Sequence, residues 1–263
     1  MVSPLAIKVI VFDLDDTLFP EREFVYSGFQ AVGRWMFETY QIIHFFEVAW
    51  DLFQQGKRGL IFNQTLELLG IQYQSSFIQT LVQIYRDHDP VIQLHPDARW
   101  AIDHYRRSHY LGIITNGFLK TQQNKIAALG IENCFDRIIY CDLYGRSHWK
   151  PSPLPYQKMM ESLGLAGKSY VYIGDHPSKD FVAARQLGWL TFRICRPDGE
   201  HTQCITSTDQ DAHFKIDSLY ELQDLLGQAS STQAAPAHPP CLARQSSPHP
   251  PLIPCREKGA EPA

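Results

Sequence analysis

The stretch Val9-Ile10-Val11-Phe12-Asp13-Leu14-Asp15-Asp16-Thr17-Leu18 runs from an apolar segment straight into three carboxylates within four residues. An unbroken run of β-branched and aromatic residues is the pattern of a strand buried on both faces. Three further runs of this kind lie at 110–114, 137–140 and 170–173, and a fifth at 190–194. Between them, residues 97–107, 119–129, 155–163 and 178–187 carry helical spacing, and Gly130, Gly164 and Gly188 supply stop signals after three of these. The alternation predicts an α/β fold: a Rossmann-like parallel sheet with helices on both faces.

One interval departs from the alternation. After Phe12, 97 residues pass before the next strand-like run, and residues 24–91 read as helix throughout. That is too long for a loop and too regular in its apolar spacing for a disordered segment. The reading is an all-helical cap over 20–93, inserted into a core built from 1–19 and 94–227. The aromatics of the insertion, among them Phe29, Trp35, Phe45 and Phe62, recur at helical spacing and are expected to form its own core. From 228 to 263 the chain turns to Pro, Ser, Ala and Gln and loses periodicity, so a tail without fixed structure is expected.

Composition narrows the functional classes. The formal net charge of the 263-residue chain is −4 and its Lys and Arg are scattered, so no basic face is ready for nucleic acid. No run approaches the roughly 18 apolar residues of a membrane span. The apolar segment 4–12 contains Lys8 and ends in acid, which does not suit a signal peptide. Six cysteines without CxxC spacing speak against a zinc site or a disulfide framework, and the expected compartment is the cytoplasm.

Asp13, Asp15 and Asp16 repel one another if all are ionised in a partly buried site, unless a hard divalent cation such as Mg²⁺ is present. Alone, the pattern also fits an acidic turn on a solvated edge. The other polar clusters, however, fall at strand ends too: Thr115-Asn116-Gly117 after 110–114, and Gly174-Asp175-His176-Pro177-Ser178-Lys179-Asp180 after 170–173. In a parallel sheet these ends share one edge, where ligands bind.

Asp13-Leu14-Asp15-Asp16-Thr17, Thr115-Asn116-Gly117, Lys150-Pro151 and Gly174-Asp175 with Asp180 together resemble the four ordered motifs of the haloacid dehalogenase superfamily, over about residues 7 to 225. The resemblance implies a Mg²⁺-dependent phosphatase acting on a small phosphorylated metabolite. Asp13 is the implied nucleophile, carrying the phosphoryl group as an aspartyl-phosphate. Asp15 is the implied acid and base, leaving its backbone carbonyl to the metal. The Thr115 hydroxyl, the N–H groups of Asn116 and Gly117 and the Lys150 ammonium are the implied phosphate binders. Asp175 completes the metal's carboxylates with Asp13, and Asp180 ligates, orients a metal water or braces Lys150. His176 is expected to shape its loop, and His95 to act in the hinge or in packing. Competing readings are a haloacid dehalogenase, a phosphomutase and a non-catalytic binding module. Asp15 and Asp175 favour phosphoryl transfer over dehalogenation, and the substrate stays open among nucleotides, sugar phosphates and phosphoglycolate-like acids.

Overall fold

A computed structural model describes residues 7–226. Six parallel strands, β1 (Val9–Phe12), β2 (Tyr110–Thr115), β3 (Arg137–Tyr140), β4 (Tyr170–Gly174), β5 (Leu190–Ile194) and β6 (Phe214–Ile216), form one sheet in the order β3-β2-β1-β4-β5-β6. The chain reverses its direction of growth at β1, which makes the β1/β4 boundary the switch point of a doubly wound fold. The helices are α1 (Glu21–Tyr40), α2 (Phe45–Gln54), α3 (Ile61–Leu68), α4 (Ser75–Asp87), α5 (Pro96–Tyr105), α6 (Leu119–Leu129), α7 (Leu154–Leu163), α8 (Pro177–Asp180), α9 (Val182–Gln186) and α10 (Leu222–Leu226).

Alternate residues of β1 enter two different cores. Ile10 and Phe12 pack with Ala98, Ala101 and Ile102 of α5 and Ile126 of α6, whereas Val9 and Val11 pack with Tyr156 and Met159 of α7 and Ala183 and Ala184 of α9. All four β1 side chains are fully buried, which explains an apolar run with no alternation. Each such burial is worth roughly 1.5–3 kcal/mol.

Two expectations need correction. The helix expected over 178–187 is two short helices, α8 and α9, divided at Phe181, whose ring is buried in the second core while the Asp180 side chain turns to the sheet edge. The sixth strand was not anticipated, because its three residues include two exposed ones and offer no period to read.

Between β1 and α5 the chain folds as four helices around a separate apolar cluster that includes Phe29, Val32, Met36, Phe45 and Leu66. The two connections to this unit are tied to each other. Gln93 N–H donates to Glu23 Oε2 at 2.8 Å, and His95 N–H to the Leu18 carbonyl at 2.9 Å. Asp16 joins a third segment, its Oδ1 accepting from Glu21 N–H at 2.8 Å and its Oδ2 from Glu200 N–H at 3.2 Å. Downstream, Asp97 Oδ2 accepts from Arg196 Nη1, Ser218 Oγ and Leu219 N–H at 2.7–2.9 Å, so the start of α5 anchors the segment leading to α10.

No helix among the described residues is long and apolar enough to cross a membrane. Cys141, Cys195 and Cys204 are free thiols. The tail expected over 228–263 lies outside the described residues.

Candidate active site

Phe12 of β1 pairs with Ile113 of β2 on one side and Ile173 of β4 on the other. The residues that follow these strands therefore emerge side by side, and Asp13, Asn116 and Asp175 line one cavity of about 190 Å³ with Asp15, Lys150 and Asp180. Six carboxylates (these four aspartates with Asp16 and Glu21) face only two lysines, Lys150 and Lys179, across the cavity walls. Larger cavities of about 610 and 330 Å³ exist, but the first contacts the carboxylate cluster only through Asp16 and the second only through Glu21.

Lys150 organises the centre. Its ammonium donates to Asp13 Oδ1 at 2.6 Å, Asp180 Oδ1 at 2.8 Å and the Tyr172 hydroxyl at 2.9 Å. Its backbone is gripped by the Asn116 side chain, which accepts from Lys150 N–H at 2.9 Å and donates to the Lys150 carbonyl at 3.1 Å. Asn116 thus lines the cavity and holds Lys150 through its side chain. Asp180 Oδ2 accepts from His176 N–H at 2.9 Å, and His176 also lines the cavity. Gly174 is required here, because a Cβ at that position would meet Asp180 Oδ2 at 2.5 Å.

Burial alone would pull the Lys150 ammonium down, but the Asp13 and Asp180 carboxylates beside it outweigh that and hold it well above its ordinary range. One ammonium shared by two carboxylates cannot neutralise both. Burial pushes the Asp13 carboxyl up to about 7 against the pull of Lys150. Asp175 is raised well above its usual range, first by burial and then by the charges of Asp180 and Asp13. Glu21, at the junction with the helical insertion, is pushed up to about 8 by burial and then by Asp15. Carboxylates that resist ionisation for want of positive charge are the donor set a hard divalent cation fits. Asp13, Asp175 and Asp180 each offer an oxygen within 4.8 Å of the others.

The Asp15 carboxylate is not one of these three. It is turned towards α6, where Lys125 Nζ donates to Oδ1 at 2.6 Å and Gln122 Nε2 to Oδ2 at 2.9 Å. The Thr115 hydroxyl is buried, receives a hydrogen bond from Gln122 Nε2 at 2.5 Å, donates to the Asn116 carbonyl at 3.2 Å and is not among the residues lining the cavity. Gly117 adopts φ +121°, a conformation that favours glycine, and lines the cavity beside Asn116.

Gln122, Lys125, Tyr172 and His201 escaped the sequence reading. Gln122 and Lys125 sit one turn apart on α6, nearly fully buried among apolar neighbours; polar residues at core-facing helix positions were the available signal. Lys125 also lies 4.2 Å from the Phe24 ring centroid, so the first turn of the insertion rests on it. The His201 ring lies against His176 with centroids 3.8 Å apart and planes tilted by 41°, and burial helped by His201 draws His176 down to about 4.

Residues 10–194 match the family model of haloacid dehalogenase-like hydrolases, and the chain belongs to that family. Among curated proteins it is 28% identical to a glyceraldehyde 3-phosphate phosphatase of Methanocaldococcus jannaschii, over 84% of this chain and 97% of the relative. It is 24% identical to the pyrimidine 5'-nucleotidase YjjG of Escherichia coli, over 82% of this chain and 96% of the relative. Its fold resembles that of the magnesium-bound HAD-hydrolase YfnB of Bacillus subtilis, with a TM-score of 0.61 at 20% identity, covering 84% of this chain and 98% of that one.

Proposed function

We propose that the protein is a Mg²⁺-dependent phosphatase that hydrolyses a small phosphorylated compound through an aspartyl-phosphate on Asp13. The observation that carries this reading is the meeting of the Asp13 carboxylate with the Lys150 ammonium and two further carboxylates at the switch point of the sheet. The names of the curated relatives, phosphatases of small metabolites, support the same class.

The free oxygen of Asp13 attacks phosphorus, and the bond to the ester oxygen breaks as the acyl phosphate forms. Lys150 balances charge on the phosphoryl oxygens while Asp180 and Tyr172 hold its ammonium in place. Asp15 gives its proton to the departing alkoxide, then takes one from the water that attacks the acyl phosphate, which regenerates Asp13. Lys125 and Gln122 keep the Asp15 carboxyl aimed during both transfers. Asp13, Asp175 and Asp180 are the groups that would hold Mg²⁺, with the Asp15 carbonyl, and the ion supplies positive charge to the phosphoryl oxygens. An exposed ion pair between Arg58 and Glu200 joins the helical insertion to the segment after β5, and closure of the insertion over the site would exclude water. The cavity of about 330 Å³ beyond Glu21, walled by Phe29, Phe53, Phe62 and Tyr85, accommodates the leaving group.

The test is release of phosphate from p-nitrophenyl phosphate with Mg²⁺ and after its chelation. Mg²⁺-dependent release is expected. Halide release from a haloacid without metal would replace this reading by the dehalogenase, and transfer of phosphate to a sugar hydroxyl in place of water would replace it by the mutase.

A further inference from the structure

At the seam between the helical insertion and the sheet, two guanidinium groups gather around one aromatic ring. Arg86, in the last turn of α4, places Cζ 3.7 Å from the Phe118 centroid, and Arg146 places its own 4.5 Å from the same centroid. Neither forms an ion pair among the described residues; Arg86 is half-buried and Arg146 exposed, whereas the buried cations at this end of the sheet, Lys125, Lys150 and Arg196, are each paired. Burial, and then the like charge of Arg146, draws Arg86 below its ordinary range. Holding two cations together over a ring recovers only part of their mutual repulsion.

Their place gives that repulsion a use. Phe118 follows Gly117, and Arg146 reaches to 5.6 Å from the Trp149 ring; Gly117 and Trp149 both line the catalytic cavity. Arg86 also lines the cavity beyond Glu21 that takes the leaving group. Positive charge without an ion-pair partner among the described residues thus stands at the leaving-group side of a site whose own walls are acidic. We propose that Arg86 and Arg146 bind a second anionic group on the leaving group, so that the preferred substrates are phosphate esters carrying a carboxylate or a second phosphate. This rests on the phosphatase reading above and narrows its substrate class.

The experiment compares kcat and KM for p-nitrophenyl phosphate and glycerol 3-phosphate, whose leaving groups are neutral, with 2-phosphoglycolate and fructose 1,6-bisphosphate, in the intact protein and in Arg86→Gln and Arg146→Gln. Loss of one charge-assisted contact is expected to raise KM for a doubly anionic substrate about tenfold and for the neutral-leaving-group esters by less than about twofold. Arg86→Lys should recover most of the loss. Whether the loss appears with the carboxylate or with the bisphosphate identifies the second anion. Equal changes for all four substrates, or a preference of the intact protein for neutral leaving groups, would overturn the proposal and leave the arginines as a seam contact. No Mg²⁺-dependent phosphate release from any of the four would instead sink the phosphatase reading, and this inference with it.

Discussion

Two lysine–aspartate pairs lie at the catalytic cavity, and they are built differently. In Asp13–Lys150 the lysine side chain is 2% exposed and bridges a second carboxylate, Asp180, that is fully buried. In Asp15–Lys125 the carboxylate is 20% exposed, shares its load with the neutral Gln122, and has its lysine seated against the Phe24 ring of the insertion. The first pair is a closed network within the sheet edge. The second is open to water and to the helical insertion, and under the proposed mechanism that exposure suits a group that gives and takes protons. The difference teaches that the two aspartates are held by separate lysines, one in a closed buried network and one in a pair open to solvent.

Substitutions can break or sharpen this contrast. Asp13→Asn should lower kcat on the order of 10⁴-fold or more while the unfolding midpoint stays near that of the parent, since the amide keeps the shape and loses the nucleophile. Steady-state rates together with thermal unfolding check this, and near-normal turnover would end the nucleophile assignment. Lys150→Ala should cost about 10²–10³-fold in kcat and about 3 kcal/mol of stability, because Asp13 and Asp180 are left buried without their cation. Lys125→Ala should cost only about tenfold in kcat and about 1 kcal/mol, since Asp15 retains Gln122 and solvent. If denaturant titration gave the two lysine variants equal losses, the contrast between a closed and an open pair would be gone. Arg58→Ala removes the exposed pair to Glu200 and should change stability by no more than about 1 kcal/mol, with the difference shrinking as salt is added.

The legible parts of the molecule were those whose physics is local. β1 and β4 could be read because burial on both faces leaves a continuous apolar run, and β5 less directly, because Thr191 and Arg193 interrupt its apolar residues although both are buried. Asp13, Asn116 and Asp175 could be placed together because each follows a strand of one parallel sheet. Less legible were features set by distant partners. Lys125 and Gln122 look like ordinary helix polar residues until Asp15, more than a hundred residues earlier, is brought against them. The break between α8 and α9 depends on Asp180 turning to Lys150, thirty residues away, while Phe181 turns to the core. Thr115 shows the limit of motif reading: its position was right for the sheet edge, but which atom its hydroxyl meets depended on Gln122 from the next helix.

The rung between Glu23 and Gln93 has a mechanical consequence. The chain leaves the sheet domain on one side of this bond and returns on the other, so the two crossings are yoked and neither can swivel alone. With the His95–Leu18 bond as a second tie, a ligand that stiffens either crossing stiffens both.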